Sequence, residues 1–260
     1  MRLFKPKFWN KKNNLLSLFL LPVSFFIQVL VIVRNCFIKK EKFLLPIICV
    51  GNIYLGGTGK TPLSIKIVQI LKELNKKAAI IRKFYKEHND EVKLIESNEI
   101  KLFKNSTRAL AIREAEVNKY ECVVLDDGFQ DASISKNLNI ICFNENQLIG
   151  NGRTIPSGPL RESLSSLKKC QIVFINGNRQ VDFEKQIKSI SKDIDIFYSN
   201  YLPINIEDFN NQNLLAFAGI GNPENFFNLL KKNNLTIIKE VPFPDHYNYS
   251  IKELNDLVEY

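Results

Sequence analysis

PIICVGNIYLGGTGKTPLSIKIVQIL, residues Pro46–Leu71, decides the fold. The apolar run Ile47, Ile48, Cys49 and Val50 reads as a buried parallel strand. A glycine-rich turn follows, and Leu63, Ile67, Ile70 and Leu71 then recur at helical spacing. Gly56, Gly57 and Gly59 let successive backbone N–H groups curl toward one point without Cβ clashes, with Thr58 among them. The helix starting near Lys60 adds its positive end there, so an anion is expected. Lys60 is placed to reach the β- and γ-phosphates of a nucleotide, and the Thr61 hydroxyl to ligate Mg²⁺. Tyr54 stands where the strict phosphate-loop pattern has glycine, which makes this a doubled-glycine GGTGKT variant.

After this loop, short apolar strands alternate with helical periods, as in a doubly wound α/β sheet. Strands are expected at Ala78–Ile81, Ile100–Phe103, Cys122–Leu125, Leu138–Phe143, Cys170–Ile175 and Ile194–Tyr198. Ser106 reads as the N-cap of a helix running to about Asn118, and Phe183–Ile190 as an amphipathic helix. Arg82–Ser97 is polar and mixed and reads as a loop over the sheet's carboxyl edge; Asn144–Leu160, with three glycines and two prolines, reads as irregular. The polar, Asn-rich Asn200–Asn213 marks a hinge before a smaller strand–helix–strand segment. The domains expected are thus a membrane-associating helix in 1–42, a phosphate-loop domain in 43–199, a hinge in 200–213 and a smaller α/β domain in 214–260.

The net charge of +9 resembles a nucleic-acid footprint, but nearly all of it lies in residues 1–42, where nine basic residues face the single acid Glu41. That charge brackets Leu15–Val33, a run without charged residues, about 28 Å long as a helix against a hydrocarbon core of ~30 Å. Pro22, Gln28 and two serines weaken a spanning reading, and basic flanks on both sides give no orientation. Matched flanks suit a segment dipping into the anionic inner leaflet with both ends cytoplasmic; a buried core helix is the alternative. The length and late start of the run argue against a cleaved signal peptide. Five scattered cysteines without a C-x-x-C pair argue for reduced thiols. No nucleic acid and no protein partner is implied.

Asp126-Asp127 end an apolar strand, where phosphate-loop proteins place a second Mg²⁺ carboxylate; the alternative is a helix cap or a solvated loop. Side chains alternate along a strand, so Asp126 is expected at the metal and Asp127 behind it or toward the substrate. His246 next to Asp245, and His88 near Asp90 and Glu91, are candidates for proton handling or simply exposed loop histidines. Arg161-Glu162 follow a Gly/Pro loop; Arg161 suits a transferring phosphate or an ordinary surface pair.

Taken together, VGNIYLGGTGKTP (50–62), VLDDGFQD (124–131), SGPLRES (157–163), AFAGIGNPENFF (216–227) and FPDHY (243–247) resemble, in order and spacing, the tetraacyldisaccharide 4′-kinases, membrane-associated kinases of lipid A synthesis in Gram-negative bacteria. The resemblance implies a phosphate-loop α/β domain hinged to a smaller one, an N-terminal membrane helix, and a location at the cytoplasmic face of the inner membrane. It implies transfer of the ATP γ-phosphoryl, with Mg²⁺, to the 4′-hydroxyl of a tetraacylated glucosamine disaccharide 1-phosphate. Carried onto this chain, Lys60 and Thr61 hold phosphate and metal, Asp126 and Asp127 form the acidic pair, and Arg161 and Glu162 line the centre. Asp90, preceding Glu91, fits the proton-abstracting aspartate, with His246 as its partner. The chain departs from the family in having Ile81-Arg82-Lys83-Phe84 for a Ser-Arg-Gly-Tyr element and Asp131 and Tyr247 for histidines. The sequence stops at Tyr260, before the family's Thr-Glu-Lys-Asp element, so either it is truncated there or the smaller domain is short. Two other functions compete: a membrane-anchored ATPase of the partitioning or metallochaperone kind, and a kinase for a soluble small molecule.

Overall fold

In the computed structural model, residues 6–84, 89–244 and 247–259 are described. Two compact units divide the chain, one of Pro6–Ser199 and the other beginning at Asn200. The larger unit holds a seven-stranded parallel sheet in the order β3-β2-β4-β1-β5-β6-β7. Its strands are β1 (Ile47–Gly51), β2 (Ala78–Lys83), β3 (Leu102–Asn105), β4 (Cys122–Asp126), β5 (Leu138–Asn144), β6 (Ile172–Asn176) and β7 (Asp195–Ser199). The expected mostly parallel, phosphate-loop-like sheet is present.

Before the sheet come α1 (Leu15–Phe19) and α2 (Leu21–Cys36); between the strands lie α3 (Lys60–Glu73), α4 (Asn89–Ser97), α5 (Arg108–Val117) and α6 (Val181–Ile190). Parallel strands covered on both faces must be apolar throughout, and β1 and β4 are buried along almost their whole length. On one face Val50, Ile80 and Val124 pack with Ile65 and Val68 of α3 and Ile95 of α4. On the other, Val123 and Leu125 pack with Ala111, Ile112 and Ala115 of α5, and Phe143 and Val173 with Phe183 and Ile187 of α6.

Three local expectations are corrected. Residues 89–97 form α4 rather than loop: Asp90 and Glu91 favour its positive first turn, while Ile95 packs on the sheet amid polar residues that mask the period. Thr107, not Ser106, caps α5, its hydroxyl accepting from Leu110 N at 3.3 Å. The apolar run 15–33 is two helices, because Pro22 falls in the first turn of α2 and the chain breaks at Leu20. Among the described residues, no helix is long and apolar enough to cross a membrane.

The second unit contains β8 (Asn213–Ala218) and β9 (Thr236–Pro242) paired in parallel, α7 (Pro223–Lys232) and α8 (Ile251–Val258). Phe227 of α7 closes a small core over Ala216 and Ala218. Ser250 and Glu253 form a reciprocal capping box at the start of α8.

Gly51 ends β1 directly beneath the turn after β4, and a Cβ there would collide with Cβ of Phe129. Gly51→Ala is therefore expected to destabilise the larger unit by about 1–3 kcal/mol, read as a lowered urea midpoint with unchanged slope. An unchanged midpoint would contradict this packing.

Candidate active site

The loop between β1 and α3 is shaped by glycine where shape demands it: Gly56 has φ 122° and Gly59 φ 86°, both in the left-handed half of the map. Asn52 braces the loop from below, its Nδ2 donating to Gly56 O and Thr58 Oγ1, each at 3.1 Å. Asn176, at the end of β6, donates to Thr58 O from the side. α3 then opens with Lys60 and Thr61, so its positive end lies where the loop closes.

β4 lies beside β1 with Val50 opposite Asp126, so the acid pair leaves the sheet level with this loop. Thr61 Oγ1 donates to Asp126 Oδ2 at 3.0 Å, and Ser64 Oγ to Asp126 Oδ1 at 3.2 Å. Asp127 sits at φ 57°, a conformation uncommon for a residue other than glycine, and faces the other way. Its carboxylate lies 3.8 Å from Lys60 Nζ and accepts from Arg161 Nη1 at 3.0 and 3.2 Å. Its carbonyl accepts from Arg108 Nη2 at 2.6 Å.

Sequence reading missed Arg82, Arg108 and Ser64, and it took Glu91 only as a neighbour of Asp90. Arg82, at the end of β2, is buried, pairs with Glu91 and lies 3.6 Å from Asp126 Oδ2. Glu91 Oε1 also lies 3.4 Å from Thr61 Oγ1. A buried arginine in an otherwise apolar strand end was the available signal. Of the proposed residues, Gly56, Thr58, Gly59, Lys60, Thr61, Asp126, Asp127 and Arg161 converge, with exposed Gly57 on the loop's rim. Glu162 instead meets Lys169 at 3.7 Å. Asp90 is exposed on the first turn of α4, and His246 and His88 lie outside the described residues.

The two acids are displaced in opposite directions. Burial pushes the Asp126 carboxyl above its ordinary range, against the pull of Arg82. Burial acts likewise on Asp127, but Lys60 and Arg161 outweigh it and hold that carboxyl below its usual range. The arrangement gathers cations and backbone donors at the carboxyl edge of a parallel sheet, where such sheets bind ligands.

The family described as Tetraacyldisaccharide-1-P 4'-kinase (LpxK) matches residues 16–260. The chain belongs to that family. A tetraacyldisaccharide 4'-kinase of Pelagibacter ubique (strain HTCC1062) is 44% identical over 265 residues, 99% of this chain and 83% of that protein. One of Rickettsia canadensis (strain McKiel) is 32% identical over 99% of this chain and 82% of its own. A crystal structure of LpxK from Aquifex aeolicus in complex with ATP shares the fold, with TM-score 0.70 and 24% identity over 91% of this chain and 84% of that one. As a member of the tetraacyldisaccharide 4'-kinases the chain is a kinase, and its site can be tested for the ion such chemistry implies. Thr61 Oγ1 and Asp126 Oδ2 are adjacent hard oxygen donors, the set Mg²⁺ takes when phosphates complete its shell. Burial pushes the nearby Cys49 thiol up to about 12, so it supplies no thiolate for a softer metal.

Because the folded value of Asp126 lies above the unfolded one near 4, stability is lost as pH rises through that window and stays lost at neutral pH. Asp126→Asn should therefore melt above the parent protein at neutral pH, with the difference shrinking in acid, while losing kinase activity. Thermal melts along a pH series check this; a variant less stable at neutral pH would contradict it.

Proposed function

We propose that this chain transfers the γ-phosphoryl of ATP to the 4′-hydroxyl of a tetraacylated glucosamine disaccharide 1-phosphate, yielding the 4′-phosphate and ADP. The observation that carries the reading is the meeting of Lys60, Thr61, Asp126, Asp127 and Arg161 at one sheet edge. In this reading the loop from Gly56 to Gly59 cradles the phosphates with backbone N–H groups. Lys60 and Arg161, both held on Asp127, face the charge on the transferring group, which they lower in energy as it develops. Thr61 and Asp126 hold Mg²⁺, which when bound neutralises phosphate charge. Arg82 offsets part of the cost of burying Asp126 and pairs with Glu91 beside it. Asp90 takes the proton of the sugar hydroxyl, His246 orients and polarises it, and Glu162 lines the pocket, all three by family resemblance. With family membership established, nothing favours the partitioning-type ATPase or the soluble-substrate kinase.

α1 and α2 support a lipid-facing role. Leu15, Phe19, Phe25, Phe26 and Ile32 are exposed, at 84%, 80%, 73%, 61% and 61%. Exposed Lys11, Lys12, Arg34, Lys39, Lys40 and Lys42 flank them. Such a surface suits the interface of an anionic leaflet, each basic residue near it contributing about 1 kcal/mol. The proposed location is the cytoplasmic face of the inner membrane.

Incubation with γ-labelled ATP, Mg²⁺ and the disaccharide lipid should label the lipid, and Lys60→Ala should cut the rate by at least about a hundredfold. No label from folded full-length protein would overturn the reading. For the lipid-facing surface, Phe25→Ser with Phe26→Ser should lower partitioning onto phosphatidylglycerol vesicles more than tenfold, at ~1.5–3 kcal/mol per buried phenylalanine. Unchanged sedimentation with vesicles would contradict that role.

A further inference from the structure

A helix on a water-soluble body turns its apolar side inward. α1 and α2 do the reverse: their two buried residues are Ser17 and Ser24, with Leu20, Gln28, Val31 and Asn35 half-buried, while the phenylalanines and the other leucines face out. Ser17, Ser24 and Gln28 each bond to the loop between β5 and β6. Ser17 Oγ donates to Ser157 O and accepts from Arg153 Nη1 at 2.8 Å and Asn151 Nδ2 at 3.0 Å. Ser157 Oγ returns a bond to Ser17 O at 2.6 Å. Ser24 Oγ donates to Thr154 O and accepts from Ser157 N, both at 2.9 Å. Gln28 Nε2 donates to Arg161 O at 3.3 Å.

That last bond links the helix pair to the site. The Arg161 amide donates to Ile53 O at 2.7 Å, so its backbone is held on one side by the segment leading into the phosphate loop and on the other by α2. Its guanidinium lies on Asp127. Buried polar groups cost stability unless bonded, and a helix needing only attachment could use apolar residues inward. Hydrogen bonds instead fix one register between helix and loop, and a shift of the loop by an ångström would move Arg161 off Asp127.

We propose that Ser24 and Gln28 are positioning residues that act through the 151–161 loop to set Arg161 against Asp127, so that the seating of α1 and α2 governs turnover as well as attachment. The proposal rests on the reading of Arg161 as a group that stabilises the transferring phosphoryl.

The test measures kcat, KM for ATP and sedimentation with phosphatidylglycerol vesicles for full-length Ser24→Ala and Gln28→Leu, each alone and in an Arg161→Ala background. Each single variant should lose about three- to tenfold in kcat, the scale of one lost hydrogen bond. KM for ATP and vesicle binding should hold within about twofold, and neither change should reduce activity further once Arg161 is gone. Full activity in both variants, an equal loss in the Arg161→Ala background, or a loss that tracks vesicle binding would overturn the inference. If Ser24→Ala does not fold, half-buried Gln28→Leu decides alone. Parent enzyme that labels no lipid would sink the kinase reading and this inference with it; active parent enzyme with fully active Gln28→Leu would sink only the inference.

Discussion

The parallel register that sets Val50 against Asp126 is the constraint on which the rest of the site depends. Two chain segments, 75 residues apart from Gly51 to Asp126, leave the sheet at one level because their strands are neighbours. Only then can a hydroxyl on the first turn of α3 reach a carboxylate at the end of β4. A shift of one residue along β4 would move that carboxylate by roughly 3.3 Å and to the opposite face. The crowding of Phe129 over Gly51 and of Leu125 and Cys49 around Gly128 shows how closely the turn after β4 is packed onto β1. These glycines hold the register by leaving room, just as Gly56 and Gly59 shape the loop by adopting positive φ.

Two adjacent acids at one edge would repel if both faced the same way. The left-handed backbone at Asp127 separates them, and each finds different company. Asp126 turns inward to two hydroxyls and Arg82, where burial still keeps its ionisation unfavourable. Asp127 turns outward to Lys60 and Arg161, which hold it ionised. Buried charges arranged this way are weak contributors to stability and strong organisers of geometry. The cost at Asp126 is the kind retained where a fold must present a ligand, and Arg108, bonded to both the Asp127 carbonyl and Asp131, holds the unusual backbone in place.

What sequence conveyed and what it withheld divides along local and long-range physics. The loop from Gly56 to Gly59 and the apolar strands were legible because their chemistry is local: glycine for backbone freedom, continuous aliphatic runs for strands covered on both faces. Lys60, Thr61, Asp126 and Asp127 were legible because each is tied to such an element. Arg82 and Glu91 were not, since their meeting depends on β2 lying beside β4, which strand order decides and no local period reveals. α4 was obscured for a related reason, as among its described side chains only Ile95 is buried in the core. The N-terminal run was legible as apolar, but Ser17, Ser24 and Gln28 read there as flaws in a spanning segment. The structure places them on one inward stripe.

That inversion has a physical rationale if the outer face meets lipid. Between water and a protein, the hydrophobic effect seats a helix and needs no particular partner. Between lipid and a protein, apolar side chains gain nothing from burial, because acyl chains are as apolar as leucine. The seat must then be specified by close packing and by polar groups that lack partners elsewhere, and an inward row of hydroxyls and an amide meets that need. The loop chosen to receive them ends at Arg161, whose guanidinium rests on one of the two acids. If the acyl chains of the proposed acceptor meet that same lipid, the bonded path from the helix pair to Arg161 puts the surface and the reacting groups in one frame.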